Sequence, residues 1–511
     1  MKEVIVIGGG LGGLATACRL AKSGFPVTII EKNERLGGKV NLIEANGYRF
    51  DTGASLLTLP EILQELFSFC GRDLTEYLSL VPLDPICRYF WEDGTTLDIY
   101  KDLELTKKAI AQIAPDDLAS FDTYIRDARA KYEISKRTFL ATSLNKLPKI
   151  LSPSNGRFFK NLLDLLRISS LKTLDKHNKS YFRSPKLRQL FNRYATYNGS
   201  SPYKIPATFA LIPYVELGFG AWYPIGGIYE IPRSLEKLAR ELGVSILTKT
   251  EVKKIVVEGS RAIAVETPDK TLKAHYIVSN ADGVETYRRL LSINNRFVNR
   301  EPSCSGFVLM IGAKKRFPTL AHHNIFFSKD YGAEFEQIFD KLLPPDNPTI
   351  YVCATSKTDS TQAPDGCENL FIMVNAPYLT EKVNWSHYKK PYRDLIIGKL
   401  EKAGLDGLEK SIEFEATITP EDFAQNTRSN KGSIYGISSN GILSAFLRIP
   451  NKSREIDNLY FVGGAAHPGG GIPLVLLSAR MVSEMIVENS LGIQRHGHRG
   501  LNSHKSNPCL L

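Results

Sequence analysis

The sequence predicts an α/β fold in which a Rossmann-like parallel sheet is interleaved with a second, α+β domain. A chain of 511 residues is too long for one compact core, which predicts two domains. An apolar run at 3–7 is followed by a glycine-rich turn, a helical pattern that stops at Gly24, and a strand at 27–30. This order is typical of the first unit of a doubly wound sheet.

The rest of the chain divides by its periodicity. Residues 80–231 are rich in Leu, Lys and Phe and are predicted to be mostly helical, whereas strand patterns return at 244–281 and at 459–462. The predicted limits are 1–78, 236–290 and 451–491 for the parallel-sheet domain, 79–235 for a helical region, 291–450 for a β-rich region and 492–511 for a disordered tail.

The charge of the chain is unevenly distributed. Lys and Arg number 65 against 54 Asp and Glu, a formal net charge of +11. Residues 131–176 carry ten basic and three acidic residues, interleaved with large apolar ones. Such a mixture suits a helical region that faces an anionic membrane, and it equally suits an ordinary helical domain with a solvated face. Net charge alone gives no reason to expect nucleic-acid binding.

Three features bear on where the protein acts. The best candidate for a membrane span, 209–228, contains Pro213, Glu216 and Pro224 and would make a poor spanning helix. The chain opens directly into a strand, which leaves no room for a signal peptide. Its seven cysteines are scattered without a CxxC pair, so neither a disulfide framework nor a metal site is expected. We therefore predict a cytoplasmic protein attached peripherally to the inner face of the membrane.

A glycine motif follows the first strand. Gly8, Gly10 and Gly13 match GxGxxG, in which the glycines permit a tight turn, close approach of a pyrophosphate and close packing of the helix on the strand. The positive end of the helix would then face the pyrophosphate. Glu31 ends the second strand, 18 residues beyond Gly13, and is placed to accept hydrogen bonds from ribose hydroxyls. Together these residues predict a dinucleotide-binding site.

A second glycine pair beside a cation indicates which dinucleotide binds. The segments 31–39 and 47–55 would bring backbone N–H groups and a positive charge to a diphosphate. They resemble the flavoprotein superfamily that includes amine oxidases, Rab GDP-dissociation inhibitors and phytoene-type desaturases, which implies FAD. The residues concerned are Arg35, Gly38, Lys39, Gly53, Ala54 and Ser55. Val252 matches a position whose backbone contacts adenine in this superfamily, and a plain core valine is the other interpretation.

The segment 458–473 is the most specific in the chain. A strand ends in glycines, a turn with few large side chains follows, and a helix begins near 473–475, so a flat ring could lie against bare backbone near a helix N-terminus. This segment resembles the carboxy-terminal signature of bacterial-type phytoene desaturases. The flavin contacts that it implies are Gly463, Gly464, Gly470, Gly471, Ile472, Pro473, Leu474 and Val475. Ala479 replaces a glycine common in relatives, and Gly464-Ala465 replaces an acid that often holds the ribityl chain.

The segments 193–202 and 220–227 are similar to the equivalent region of hydroxycarotenoid 3,4-desaturases, which extends the resemblance over essentially the whole chain. The family implies an FAD-dependent carotenoid desaturase with a 1-hydroxycarotenoid substrate and with oxygen or a quinone as electron acceptor. The flavin would take hydride from an allylic carbon while a proton leaves the neighbouring carbon. Phytoene or diapophytoene substrates, isomerase or saturase chemistry, an amine oxidase and an isoprenoid-binding protein without FAD are the alternatives.

The side chains expected to meet the substrate belong mainly to the helical region. Five aromatic residues are placed to line an apolar tunnel, or to form part of the core: Phe209, Tyr214, Phe219, Trp222 and Tyr223. Glu216 and His467 are the ionisable groups expected near the reaction. A buried carboxylate there could assist proton loss or merely cap a turn. We expect 79–235 to face substrate and membrane, and 291–450 to complete the substrate domain.

Overall fold

The computed structural model describes residues 2–140, 164, 168, 171–441 and 448–492. Its strands are β1 (Val4–Ile7), β2 (Val27–Ile30), β3 (Leu42–Ala45), β4 (Tyr48–Asp51), β5 (Leu80–Pro82), β6 (Cys87–Phe90), β7 (Thr96–Ile99), β8 (Trp222–Pro224), β9 (Ser245–Leu247), β10 (Lys254–Glu258), β11 (Arg261–Glu266), β12 (Thr271–Lys273), β13 (Tyr276–Ser279), β14 (Ser305–Ala313), β15 (His323–Phe326), β16 (Ile350–Cys353), β17 (Glu368–Ala376), β18 (Ile412–Ile418) and β19 (Leu459–Phe461). Its α-helices are Leu11–Lys22, Pro60–Phe69, Leu103–Ile113, Leu118–Ser135, Leu174–Tyr181, Pro185–Asn192, Ile212–Phe219, Glu230–Glu241, Gly283–Glu285, Tyr331–Glu336, Trp385–Lys402, Leu408–Ser411, Pro420–Thr427 and Ile472–Ser490.

A five-stranded parallel sheet carries the glycine motif. Its order is β19-β13-β1-β2-β9, so strands from three distant parts of the chain meet in one sheet. The central strands are short apolar runs, and all four residues of β1 are buried. Val4 and Val6 pack with the first helix on one face, and Ile5 and Ile7 pack with the antiparallel strands β10 and β11 on the other. The α/β, Rossmann-like fold with interleaved segments is therefore confirmed.

Small side chains let the first helix pack closely on this sheet. The helix Leu11–Lys22 buries every residue from Leu11 to Leu20, and it packs against the last helix, Ile472–Ser490. Gly12, Gly13, Ala15 and Ala17 give it a narrow face, which allows the helix axis to approach the strands. This packing sets the position of the helix N-terminus, where the glycine motif lies.

The second domain is built on a seven-stranded mixed sheet in the order β18-β14-β17-β16-β15-β6-β7. Its long strands β14 and β17 lie in the region 291–450 that the sequence predicts to be β-rich. The prediction of mostly helical structure is wrong for 80–99, which forms β5, β6 and β7. Alternate residues of β6 are buried, as is typical of a strand with one face on the core. The strand is only four residues long and is followed by long Leu- and Lys-rich patterns that indicate helices, so its own pattern was too short to predict it.

Two predictions concern segments that lie wholly or partly outside the described residues. Much of the basic and apolar stretch 131–176, namely 141–163, 165–167 and 169–170, lies outside the described part of the chain, and so does the predicted disordered tail beyond Gly492. Within the ranges that the structure does describe, no helix is long and apolar enough to cross a bilayer.

Candidate functional site

The carboxyl ends of the parallel strands open onto a cavity of about 600 Å³. Gly8 follows β1, Glu31 follows β2 and Asn280 follows β13, and all three line this cavity. Side chains of β15, β16 and β17 line another part of it. Ligands of open parallel sheets bind at this edge, because the strand ends and the helix N-termini meet there.

Most residues that the sequence predicts to bind the cofactor line this cavity. They are Gly8, Gly10, Glu31, Gly38, Lys39, Gly53, Ala54, Ser55, Val252, Gly463, Gly464, Gly470, Gly471, Ile472, Pro473, Leu474 and Val475. The structure places Gly13 and Arg35 elsewhere. Gly13 packs against β1 behind the cavity wall, and the exposed Arg35 donates a hydrogen bond from Nη1 to the carbonyl of Leu42 (3.4 Å).

The carboxylate of Glu31 is held in place by backbone donors. It is buried and accepts hydrogen bonds from the N–H groups of Gly9 (2.8 Å) and Asn33 (2.9 Å), one on each oxygen. An ionised carboxylate can accept about four hydrogen bonds, so capacity remains for two ribose hydroxyls. The geometry suits the role that the sequence predicts for this residue.

Close backbone packing explains the glycines at the start of the first helix. A Cβ at Gly13 would lie 2.2 Å from the carbonyl oxygen of Gly8, and one at Gly12 would lie 2.6 Å from Oδ1 of Asn280. Asn280 also donates from Nδ2 to the Gly8 carbonyl (3.2 Å) and thereby ties β13 to the glycine turn. Sequence reasoning missed Asn280, because it follows an ordinary apolar strand and belongs to no motif.

The second glycine motif forms a wall of the cavity. A Cβ at Gly53 would lie 1.8 Å from the carbonyl oxygen of Lys39, so the two segments touch backbone to backbone. The ammonium group of Lys39 donates to the carbonyls of Ser433 (3.2 Å) and Ile434. Burial lowers the pKa of Lys39 to about 8, and the nearby carboxylate of Asp282 offsets only part of that effect.

The predicted flavin end has a bare backbone and an uncapped helix. Gly463 and Gly471 adopt φ of +100° and +102°, which favours glycine at both positions. Gly471 is the N-cap of the helix Ile472–Ser490, and no side chain caps the helix there. The N-terminal backbone N–H groups of this helix therefore face the cavity without a side-chain acceptor.

His467 is buried next to the flavin end and lines the cavity. Its Nε2 lies 3.0 Å from the carbonyl oxygen of Phe139. The His467 carbonyl accepts hydrogen bonds from Asn451 Nδ2 and Ser478 Oγ, both at 2.8 Å. These contacts fix the turn that carries the glycines and place the imidazole at the cavity wall.

Glu216 lines the cavity within a network of donors. The guanidinium of Arg193 (3.2 Å) and the hydroxyl of Tyr194 (2.8 Å) donate to Oε1, and the hydroxyl of Tyr197 donates to Oε2. Arg193 also donates to the hydroxyl of Tyr89 (2.7 Å). Burial lowers the pKa of Arg193, but the Tyr89 hydroxyl oxygen and the Glu216 carboxylate outweigh that effect and hold the pKa well above its usual value. Glu216 is thus the carboxylate of a buried ion pair.

The structure brings only one of the five predicted aromatic residues to the cavity, namely Phe209. Tyr214 and Phe219 lie behind the cavity-lining Tyr132, with ring centroids 5.6 and 5.4 Å from it. Trp222 donates from Nε1 to the carbonyl of Phe219 (3.0 Å), and Tyr223 packs edge-on against a buried histidine. Tyr223 is buried, and the other three rings are partly buried against the hydrophobic core. Trp222 and Tyr223 lie in β8, whose pairing with β5 holds them away from the cavity.

A histidine pair adjoins the cavity at the second sheet. His322, His323 and Cys353 bring their ligand-type atoms within 4.8 Å of one another. Nδ1 of His322 pairs with Thr358 (2.7 Å) and Nδ1 of His323 with Tyr351 (2.8 Å). Burial lowers the pKa of His322 to about 3 and that of His323 well below its usual value, so both rings are neutral near pH 7. The sequence did not predict this cluster, because Cys353 lies 30 residues after His323 and reaches it only through the pairing of β15 with β16.

The cavity therefore has the features that a flavin dinucleotide requires. Two helices begin at its wall, at Gly10 and Gly471, without side-chain caps, so their N–H groups are available to anionic groups. Close backbone packing leaves no room for side chains at the glycine turn, and Glu31 stands where a ribose would bind. The residues present fit FAD.

Comparisons with known proteins agree with this geometry. A family model described as flavin containing amine oxidoreductase matches residues 11–487. The chain is 42% identical over 493 residues to the 1-hydroxycarotenoid 3,4-desaturase of Flavobacterium sp. (strain P99-3), covering 95% of this chain and 99% of that protein. It is 37% identical over 491 residues to the 4,4'-diaponeurosporene oxygenase of Staphylococcus aureus (strain MSSA476), with 95% and 98% covered.

A solved structure supports the fold independently. Cyclohexylamine oxidase from Brevibacterium oxydans IH-35A superposes with a TM-score of 0.60 at 16% identity, covering 95% of this chain and 99% of that one. The chain thus belongs to the flavin-containing amine oxidoreductase family and is an FAD-dependent oxidoreductase. Within that family it belongs to the carotenoid desaturase group that its motifs predicted.

We expect FAD affinity to depend on pH through Lys39. With a pKa of about 8 in the free protein, Lys39 is mostly cationic at pH 7 and mostly neutral at pH 9. A diphosphate beside it favours the cation, so binding takes up a proton and the affinity should fall roughly tenfold from pH 7 to pH 9. Fluorescence titration of the apoprotein with FAD measures this. Lys39→Met should bind FAD more weakly, with an affinity that does not change between pH 7 and pH 9. If the affinity of both proteins falls equally with pH, Lys39 is not the group responsible.

Proposed function

We propose that this protein desaturates the C3–C4 bond of a 1-hydroxycarotenoid and thereby lengthens its conjugated system. The observation that carries the proposal is the 42% identity, over nearly the full length of both chains, to a 1-hydroxycarotenoid 3,4-desaturase. The mid-chain segments 193–202 and 220–227, which resemble the same enzymes, support it from the sequence.

The side chains of the cavity suit a long apolar substrate. The second sheet contributes Ile325, Phe371 and Met373, and the helical region contributes Phe209 and Val215. When bound, FAD accepts a hydride from an allylic carbon. The protein's part is to hold the polyene in one register and exclude water, since few catalytic side chains are required. His467 at the flavin end and Glu216 in the helical wall are the ionisable groups of the cavity that the sequence predicted for this task.

A second candidate follows from the similarity to 4,4'-diaponeurosporene oxygenase. That reaction adds oxygen to a carotenoid without a hydroxyl group, whereas desaturation removes two hydrogens. The two functions therefore differ in the mass of the product as well as in the substrate. The lower identity, 37% against 42%, places this function second.

Pigment analysis tests both functions. The chain is expressed in cells that accumulate 1-hydroxylated carotenoids, 4,4'-diaponeurosporene or phytoene, and the pigments are identified by chromatography and mass spectrometry. We expect loss of two hydrogens and a red-shifted spectrum only with the 1-hydroxylated substrate. Gain of oxygen on diaponeurosporene would establish the oxygenase, and unchanged pigments from a yellow, folded protein would reject both.

We further propose peripheral attachment to the inner face of the cytoplasmic membrane, with oxygen or a quinone as electron acceptor. The stretch 131–176 supports attachment, because its basic residues suit anionic headgroups and its apolar residues suit the bilayer surface. The proposed substrate, a carotenoid, also dissolves in lipid. Flotation with vesicles that contain anionic lipid, compared with neutral vesicles and with high salt, tests the attachment. Reoxidation of the reduced protein by oxygen or by a soluble quinone identifies the acceptor.

A further inference from the structure

Arg448 is a buried cation without a carboxylate partner. Only 4% of the residue is exposed, and it lines the cavity. Its guanidinium donates to Ser439 Oγ (3.1 Å), Asn198 Oδ1 (3.3 Å) and the carbonyl of Gly464 (3.4 Å), all of them neutral. Among the residues that the structure describes, no acid forms an ion pair with it.

The other two buried arginines that the structure describes are paired. Arg19 lies against Glu65, and Arg193 lies against Glu216. Burial alone lowers the pKa of Arg448, to about 10, so the side chain stays cationic at neutral pH. An uncompensated buried charge costs several kcal/mol, and a protein retains one where a ligand supplies the opposite charge.

The position of Arg448 indicates which ligand does so. A Cβ at Gly469 would lie 3.1 Å from the Cζ atom of Arg448, and the nearest backbone acceptor is the carbonyl of Gly464. Both glycines belong to the run 463–471, which forms the flavin end of the cavity. The guanidinium is therefore fixed against the backbone on which the flavin ring is expected to lie.

We propose that Arg448 provides the fixed positive charge that offsets the negative charge of reduced flavin. Transfer of a hydride breaks a C–H bond of the donor, forms an N–H bond on the ring and moves two electrons, so a neutral ring becomes an anion. Arg448 stays protonated and exchanges no proton in this step. A preorganised charge in a dry site stabilises that anion, which makes FAD a stronger oxidant. The inference depends on FAD and not on the identity of the carotenoid.

The test measures flavin chemistry without any carotenoid. The reduction potential of bound FAD is determined by dye equilibration, and sulfite affinity by titration, because the sulfite adduct also places negative charge on the ring. For Arg448→Met and Arg448→Gln we expect sulfite affinity to fall at least tenfold. The potential should fall by about 30 mV or more, the equivalent of tenfold for two electrons. Arg448→Lys should retain most of both properties.

Controls separate this role from a structural one. Arg393→Met removes a paired arginine in the helix Trp385–Lys402 and should leave potential and sulfite affinity unchanged. Because Arg448 lacks an acid partner, Arg448→Met should unfold at the same temperature as the parent or higher. Unchanged potential and sulfite affinity in both neutral variants, with FAD bound, would overturn the proposal. If Arg448→Met loses FAD, Arg448→Gln, which can still donate to the Gly464 carbonyl, gives the decisive values.

Discussion

Gly13→Ala is expected to abolish FAD binding at micromolar cofactor, a loss of affinity of about a hundredfold or more. The added Cβ would lie 2.2 Å from the carbonyl oxygen of Gly8 and 3.2 Å from Cγ1 of Val6. One contact is with β1 and the other with the turn that follows it, so the helix must move outward by about 1 Å to restore ordinary packing distances. That movement withdraws the N–H groups at the helix start from the pyrophosphate, although Gly13 itself does not line the cavity.

A matched substitution controls for the loss of a glycine. Gly398 lies inside the helix Trp385–Lys402, and a Cβ there would have no neighbour within 4 Å. Gly398→Ala should therefore keep full FAD content and gain about 0.5–1 kcal/mol of stability from helix propensity. Absorbance ratios and fluorescence titration of the apoproteins measure both variants. A Gly13→Ala protein with stoichiometric FAD and parental affinity would show that this close approach is not needed.

The parts of the fold and site that the sequence predicted are those with local signals. The glycine motif, Glu31 and the run 463–475 are contiguous patterns whose chemistry depends on neighbouring backbone, so their placement on one cavity followed from strand order. The Rossmann-like sheet was predictable for the same reason, because each of its strands is a short apolar run next to a turn.

The rest depends on contacts between residues distant in sequence. Asn280 has no motif, and its importance appears only where Gly12 and Gly463 approach its side chain. The pairing of β5 with β8 holds Trp222 and Tyr223 away from the cavity, which no local pattern indicates. Arg448 is conspicuous only because none of the acids that the structure describes forms an ion pair with it, a property that a sequence cannot display.

Glu216→Leu is expected to destabilise the protein by about 3–5 kcal/mol, because it leaves the cation of Arg193 buried without its partner. Glu216 is 2% exposed and accepts hydrogen bonds from Arg193, Tyr194 and Tyr197. Arg193→Met should lower the stability by a similar amount, because it leaves the carboxylate of Glu216 buried without its cation. The double variant removes both charges, so its urea midpoint should recover most of the loss. The exposed pair Arg240–Glu236 is the control, with a coupling of about 0.3–0.5 kcal/mol.

The same cycle tests whether Glu216 assists proton loss, one of the roles that the sequence left open, or only neutralises Arg193 as the structure indicates. If the carboxylate only neutralises Arg193, the double variant should be stable, bind FAD and turn over the substrate identified by pigment analysis at a rate near that of the parent. If Glu216 accepts the proton that leaves the substrate, the double variant should be equally stable but lose at least a hundredfold in rate, the typical contribution of a general base. Because every oxygen of Glu216 already accepts a hydrogen bond from a network donor, we expect the first result. A stable, FAD-loaded and inactive double variant would assign the proton transfer to Glu216.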